Sequence, residues 1–173
     1  ASARIMESIN INDAKALNDI AIGENGTLFV TDTIGNCVFT YNPTSKTQAK
    51  IISPLLVSPN GIIYDRPRWQ MFVVCSTKHS PVLSIDIRTN DVKIFMDSIY
   101  SGLDGIAIDD LGRIYFSSWE DEAIVEIPQE QNRYIVKFKD IRGAADLYYH
   151  FPTNELIVPL LAANKIVRVS LNP

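Results

Sequence analysis

The feature that most constrains this chain is a short segment that returns four times. Leu17-Asn18-Asp19-Ile20-Ala21-Ile22, Pro59-Asn60-Gly61-Ile62-Ile63-Tyr64, Leu103-Asp104-Gly105-Ile106-Ala107-Ile108 and Ala144-Ala145-Asp146-Leu147-Tyr148-Tyr149 each place a small or polar pair before alternating apolar positions. Their second positions, 18, 60, 104 and 145, are spaced by 42, 44 and 41 residues. That period matches a four-stranded propeller blade and exceeds the shorter periods of helical or leucine-rich repeats.

Each repeat reads as a series of strands. The first run ends at a turn, Gly23-Glu24-Asn25-Gly26 in the first repeat and Asp109-Asp110-Leu111-Gly112 in the third, where glycine and Asn/Asp supply hairpin geometry. Second runs follow at 27–31, 70–74, 113–117 and 155–158, and third runs such as Val82-Leu83-Ser84-Ile85-Asp86-Ile87 and Ile166-Val167-Arg168-Val169 alternate with period two. A fourth strand is expected at Ala49-Lys50-Ile51-Ile52, Val92-Lys93-Ile94-Phe95 and Ile135-Val136-Lys137-Phe138, each with a lysine suited to an outer edge. The expectation is an all-β propeller domain over residues 1–173, with four blade-like repeats starting near 17, 59, 103 and 144 and four antiparallel strands in each. It is either a small closed ring or a segment of a six-bladed propeller. Residues 1–10, containing Ala3-Arg4-Ile5-Met6, would supply an outer strand that closes the ring on the last repeat.

Composition removes several alternatives. With 46% hydrophobic and 21% charged residues the chain has the balance of a globular protein. Sixteen basic against 20 acidic side chains give a formal net charge of -4, which offers no electrostatic case for a nucleic acid partner. No apolar run approaches the roughly 20 residues of a membrane-spanning helix. Cys37 and Cys75 sit in different repeats and read as two buried thiols. No Ser-His-Asp order, phosphate-cradling glycine loop or paired-cysteine zinc spacing is present.

Three motifs in series resemble the SMP-30/gluconolactonase group of six-bladed propellers, with a weaker likeness to NHL repeats. Leu17-Asn18-Asp19 is similar to that family's Asn-Asp segment, Ser58-Pro59-Asn60-Gly61-Ile62 to its Asn-Gly motif, and Leu103-Asp104-Gly105-Ile106-Ala107-Ile108-Asp109 to its Asp-Gly motif. The resemblance covers nearly the whole chain. It implies a divalent metal at the propeller axis, calcium first among magnesium, manganese and zinc, with Asn60 and Asp104 as oxygen ligands. It also implies that Asp104 acts as general base on a water that opens a small lactone or sugar-acid-like ester, while Asn18 orients substrate hydroxyls. Hard cations favour such oxygens and polarise an ester carbonyl. The family's glutamate ligand has no counterpart in these residues, and Ala16 stands where the family has arginine. Those departures, with the NHL-like Thr31-Asp32-Thr33, motivate a second expectation: a non-catalytic propeller that binds a protein or small ligand on its open face. A second chain that completes the ring is compatible with both.

Each candidate also has a plain structural reading. Asn18, Asn60 and Asp104 occupy one repeat position and so converge on the axis, but Asn and Asp there also suit turn hydrogen bonding. Trp119 could wall the pocket and stack on a sugar-like ring, or simply pack at a blade end. His79 reads mainly as a solvated loop residue and Asp32 mainly as a loop cap. Glu120-Asp121-Glu122 reads as a solvated turn, because consecutive side chains of an extended chain point apart.

Overall fold

The computed structural model describes residues 3–172 and is all-β apart from three single-turn 3-10 segments. Its strands run in chain order as four up-and-down antiparallel sheets. Blade 1 holds β1 (Leu17–Ile22), β2 (Leu28–Asp32), β3 (Cys37–Asn42) and β4 (Thr47–Ile52). Blade 2 holds β5 (Pro59–Asp65), β6 (Gln70–Cys75), β7 (Val82–Asp86) and β8 (Val92–Met96). Blade 3 holds β9 (Leu103–Ile108), β10 (Ile114–Ser118), β11 (Ala123–Ile127) and β12 (Ile135–Phe138). Blade 4 has three strands among the described residues, β13 (Tyr148–His150), β14 (Glu155–Leu160) and β15 (Lys165–Ser170). The repeat seen in sequence is therefore a repeat of blades, and all three lysine-bearing outer strands form as expected.

Strand pairing aligns the blades residue by residue. Leu17, Pro59 and Leu103 pair with Asp32, Cys75 and Ser118, and Ile20, Ile62 and Ile106 pair with Val30, Val73 and Phe116, with a register irregularity between the two pairs in each of these three blades. The second position of each repeat thus carries Asn18, Asn60 and Asp104, and the third carries Asp19, Gly61 and Gly105. The fourth blade joins this frame through its hydrogen bonds. Thr31 Oγ1 accepts from Asp19 N–H (3.0 Å) and donates to the Asn60 carbonyl (2.7 Å). In the same way Ser117 Oγ accepts from Gly105 N–H (2.8 Å) and donates to the Ala145 carbonyl (2.7 Å). Ala145 therefore holds the second position of blade 4 and Asp146 the third. These hydroxyl latches cross from blade 1 to 2 and from blade 3 to 4, whereas between blades 2 and 3 the corresponding residue is the buried Val74.

The hydrophobic core is three separate clusters, one per joint between neighbouring blades. Ala21, Phe29, Val38 and Ile51 of blade 1 meet Ile62, Met71, Val73 and Leu83 of blade 2. Phe72, Val74 and Val82 of blade 2 meet Leu103, Ile106 and Phe116 of blade 3. Ala107, Tyr115 and Ile124 of blade 3 meet Leu147, Leu156 and Val158 of blade 4. Side chains alternate across each strand, so one face of a sheet packs forward and the other backward. The third-position glycines allow the inner strands to come this close: a Cβ on Gly61 would lie 2.4 Å from the Asp104 carbonyl oxygen, and one on Gly105 would lie 2.4 Å from Asp146 Cα. Cys37 and Cys75 are both buried free thiols, as expected.

The N-terminal segment departs from expectation. Residues 3–11 form no strand, and they lie along blade 1 instead of pairing with blade 4. Gln48 on β4 binds this segment at both ends of its amide, with Oε1 accepting from Asn12 N–H (3.2 Å) and Nε2 donating to the Asn10 carbonyl (2.6 Å), and Lys46 pairs with Glu7 at 2.8 Å. The apolar side chains that suggested a strand, Ile5 and Met6, stay exposed. A short alternation of apolar and polar residues is compatible with an extended coil as well as a strand, and here side-chain hydrogen bonds outcompete sheet pairing.

Asp32, the residue after Thr31, is buried and accepts three backbone N–H groups, from Lys15 (2.7 Å), Ala16 (2.8 Å) and Gly35 (2.8 Å). Burial alone would raise its pKa, but these N–H donors, aided by Lys50, outweigh it and hold the carboxyl below its ordinary value. Asp32 is the cap that ties the approach to β1 onto the turn between β2 and β3.

Candidate functional site

The inner strands bring Asn18, Asp19, Asn60, Gly61, Asp104 and Asp146 around one axial cavity of about 190 Å³. A second cavity of about 340 Å³ continues along the axis, lined by the apolar positions that follow, among them Ile20, Ile62, Ile106 and Leu147, and bordered by Asp19 and Asp146. The arrangement follows from the repeat. The second and third positions sit at the irregular start of each inner strand, where side chains of successive blades turn toward a common centre.

The three residues expected from sequence, Asn18, Asn60 and Asp104, are brought together here. Their hydrogen bonds distinguish them. Asn60 and Asp104 line the same cavity from neighbouring blades, a pair of oxygen-bearing side chains. Asn18 Nδ2 donates to Thr33 Oγ1 (3.1 Å), which in turn donates to the Pro59 carbonyl (2.8 Å), so the amide nitrogen of Asn18 serves the joint between blades 1 and 2. Its carbonyl oxygen is the atom left for the cavity.

Two carboxylates at the cavity were not singled out from sequence. Asp19 bridges blades, accepting from Ile20 N–H (2.7 Å) with one oxygen and from Ile62 N–H of blade 2 (2.8 Å) with the other. Asp146, at the same third position, accepts from Leu147 N–H (2.7 Å). The signal that could have found them is the third-position series Asp19, Gly61, Gly105 and Asp146, which the four aligned repeats carry one residue after the position that was singled out.

All three carboxyls have raised pKa values. Burial is the main cause for each. For Asp104 the nearby Asn60 amide works against the rise and the charge of Asp19 adds to it. For Asp19 the N–H groups of Ile62 and Ile20 oppose it. Asp146 is pushed up to about 6, with the charge of Asp19 as the second cause. The sign of the consequence is opposite to that of a salt-bridged carboxylate. A folded-state pKa above the unfolded value means that the native state takes up protons first as the pH falls, so ionisation of these groups weakens the fold above that pKa. The melting temperature is therefore expected to rise as the pH is lowered from about 7 to about 5. A calorimetric pH series tests this, and Asp146→Asn should flatten the upper part of the rise.

The remaining sequence candidates lie away from the cavity. Trp119 follows β10, donates its backbone N–H to the Gly102 carbonyl (2.9 Å), and does not line the axial cavity. His79 is exposed in the loop before β7, its backbone N–H bound to Ser101 Oγ (3.1 Å). Within Glu120-Asp121-Glu122, Asp121 accepts from Ser101 N–H (2.8 Å) and Ser118 Oγ (2.7 Å), the behaviour of a turn cap. Among the described residues, no three His, Cys, Asp or Glu side chains are grouped closely enough to hold a metal ion by themselves, and no helix is long and apolar enough to cross a membrane.

No family model matches the sequence, and no curated protein matches it. Solved structures do match the fold. A nidogen/laminin complex aligns with a TM-score of 0.72 at 16% identity, over 92% of this chain and 65% of that chain. A provisionally assigned gluconolactonase aligns with a TM-score of 0.79 at 10% identity, over 94% of this chain and 62% of that one. A catalytically inactive virginiamycin B lyase from Staphylococcus aureus, solved with quinupristin, aligns with a TM-score of 0.71 at 15% identity, over 88% and 51%. At these identities the likeness establishes the propeller fold and nothing of the chemistry. The chain spans between half and two-thirds of the length of these structures.

Proposed function

We propose that the axial cavity is the site of a cation-assisted hydrolase of small lactones or related esters. The observation that supports this reading is the convergence of Asn18, Asn60 and Asp104, from the same repeat position of three successive blades, on a single cavity that also holds two more carboxylates. Carboxyls crowded in a partly desolvated space repel one another, and a cation relieves that repulsion.

The donor set fits a hard divalent ion held by few protein ligands. Asn60 and Asp104, already neighbours, are the residues that would hold it, with Asp19 and Asp146 contributing charge from the rim. Such an ion supplies polarisation of the ester carbonyl. Asp104 accepts the proton of the attacking water as the oxygen–carbon bond forms, and that proton ends on the alkoxide oxygen when the ring carbon–oxygen bond breaks. The raised pKa of Asp104 suits a group that must take up a proton and release it again. Asn18 presents its carbonyl oxygen to a substrate hydroxyl, its amide nitrogen being fixed by Thr33.

A calcium titration followed by thermal unfolding tests the proposal. Saturating calcium should raise the melting temperature by about 5–10 °C, because a ligand bound only by the folded state stabilises it by mass action. Asp104→Ala should abolish both the rise and lactone turnover. A second reading has one observation in its favour: both oxygens of Asp19 are committed to structural bonds, which leaves Asn60, Asp104 and Asp146 to face a ligand. No calcium shift in either protein would make the cavity a metal-independent ligand site on a binding propeller.

A further inference from the structure

We propose that the free flanks of blades 1 and 4 are docking faces for further four-stranded propeller blades supplied by polypeptide outside these 173 residues, which close the ring. The argument starts from one repeat position. Ile62, Ile106 and Leu147 are 4%, 3% and 5% exposed, each covered by the blade before it. Ile20, their counterpart in blade 1, is 54% exposed. The backward face of blade 1 is thus built like three faces that are covered, and at its inner strand it lacks the covering blade.

The forward face of blade 4 shows the matching deficit. Its counterparts in blades 1 and 3, Ala21 and Ala107, are buried at a joint, whereas Tyr148 is 62% exposed and Ile166 on β15 is 73% exposed. These two side chains, with Ile157, Pro159 and Asp146, line a groove of about 270 Å³ along that flank. Asp146 identifies what the groove receives. At the same position Asp19 uses its second oxygen to accept the Ile62 N–H of the following blade, while Asp146 makes only the bond to its own neighbour, Leu147. The carboxylate offers the next inner strand a backbone hydrogen bond of the kind that joins blades 1 and 2. The longer solved propellers, of which this chain spans 51–65%, continue beyond the matched part. A second copy of this chain is a poorer occupant, since it would set the carboxylates of Asp146 and Asp19 against each other over one Ile20 N–H, which Asp19 already occupies.

The test is thiol accessibility. Cys37 and Cys75 are buried, so a maleimide reports an introduced Ile20→Cys or, on the other flank, Ile166→Cys. The probe is an extended chain that carries a further copy of residues 45–142, the outer strand β4 to complete blade 4 followed by blades 2 and 3, after residue 172. Both introduced thiols should label freely in the 173-residue chain and about 100-fold more slowly in the extended chain. The copied Cys75 reports whether the added blades are folded. Free labelling of both flanks in the extended chain overturns the proposal, whether the copied Cys75 is protected or reactive, because in either case the faces have not accepted a blade. Slow labelling of the 173-residue chain also overturns it: sedimentation as a dimer would make a second copy the occupant, and sedimentation as a monomer would mean that the four blades close alone.

Discussion

Gly105→Ala is expected to separate blade 4 from the rest of the molecule. The added methyl would sit 2.4 Å from Asp146 Cα, 2.5 Å from Leu147 N and 2.6 Å from Asp146 C, and none of these backbone atoms can rotate away as a side chain end would. Relief requires the inner strand of blade 4 to retreat by about an ångström, which breaks the Ser117 latch to Ala145 and opens the cluster around Leu147 and Val158. The expected loss is about 3 kcal/mol or more, at the upper end of what overpacking produces. Urea titration followed by amide exchange should show blade 4 unprotected while blades 1 and 2 remain protected. Gly26→Ala is the control. That glycine has a φ of +72° but nothing within 4 Å of its would-be Cβ, so its replacement should cost only about 1 kcal/mol of backbone strain.

Asp32→Ala is expected to have an effect of similar size by a different route. Three backbone N–H groups at 2.7–2.8 Å lose a charged acceptor at a site from which water is excluded. Bonds to a charged group contribute about 1.5–3 kcal/mol each, and partial rehydration of the loop offsets some of the loss, which leaves about 3–4 kcal/mol. The Asn variant keeps an acceptor oxygen for one or two of the donors and should recover part of it. The pH dependence has a definite sign. Because the folded pKa lies below the unfolded value, this stabilisation is fully present above the ordinary carboxylate range and is lost as the pH falls through the lowered folded value. In acid the wild type should therefore approach the variant, and the difference in urea midpoint between the two should shrink below about pH 4.

The blades were legible because two periods coincide in the sequence, alternation within a strand and about 42 residues between inner strands. The outer strands around Lys50, Lys93 and Lys137 followed from the need to keep an edge from pairing elsewhere. The course of the N-terminal segment is not legible because four residues of mixed polarity carry no register, and its placement rests on Gln48 and Lys46 of blade 1, which no local pattern identifies. At the axis, Asn18, Asn60 and Asp104 were readable because they share a position. Asp146 was not, since Ala145 fills that position in blade 4 and the carboxylate stands one residue later. The roles of Thr31 and Ser117 were also hidden, because a hydroxyl that bridges two blades looks in sequence like any polar residue in a strand.

The missing hydroxyl at Val74 makes the middle joint respond to temperature differently from its neighbours. The inner strands of blades 1 and 2, and of blades 3 and 4, are fastened by polar bonds as well as by apolar contact, while those of blades 2 and 3 meet through Val74, Phe72, Ile106 and Phe116, and a polar bond of this joint, from Arg68 to the Gly112 carbonyl, lies in the turns beyond the strands. Apolar association weakens on cooling, and hydrogen bonds do not share that dependence. In the cold the molecule is therefore expected to part at its centre, into two halves that each keep a latched pair of blades.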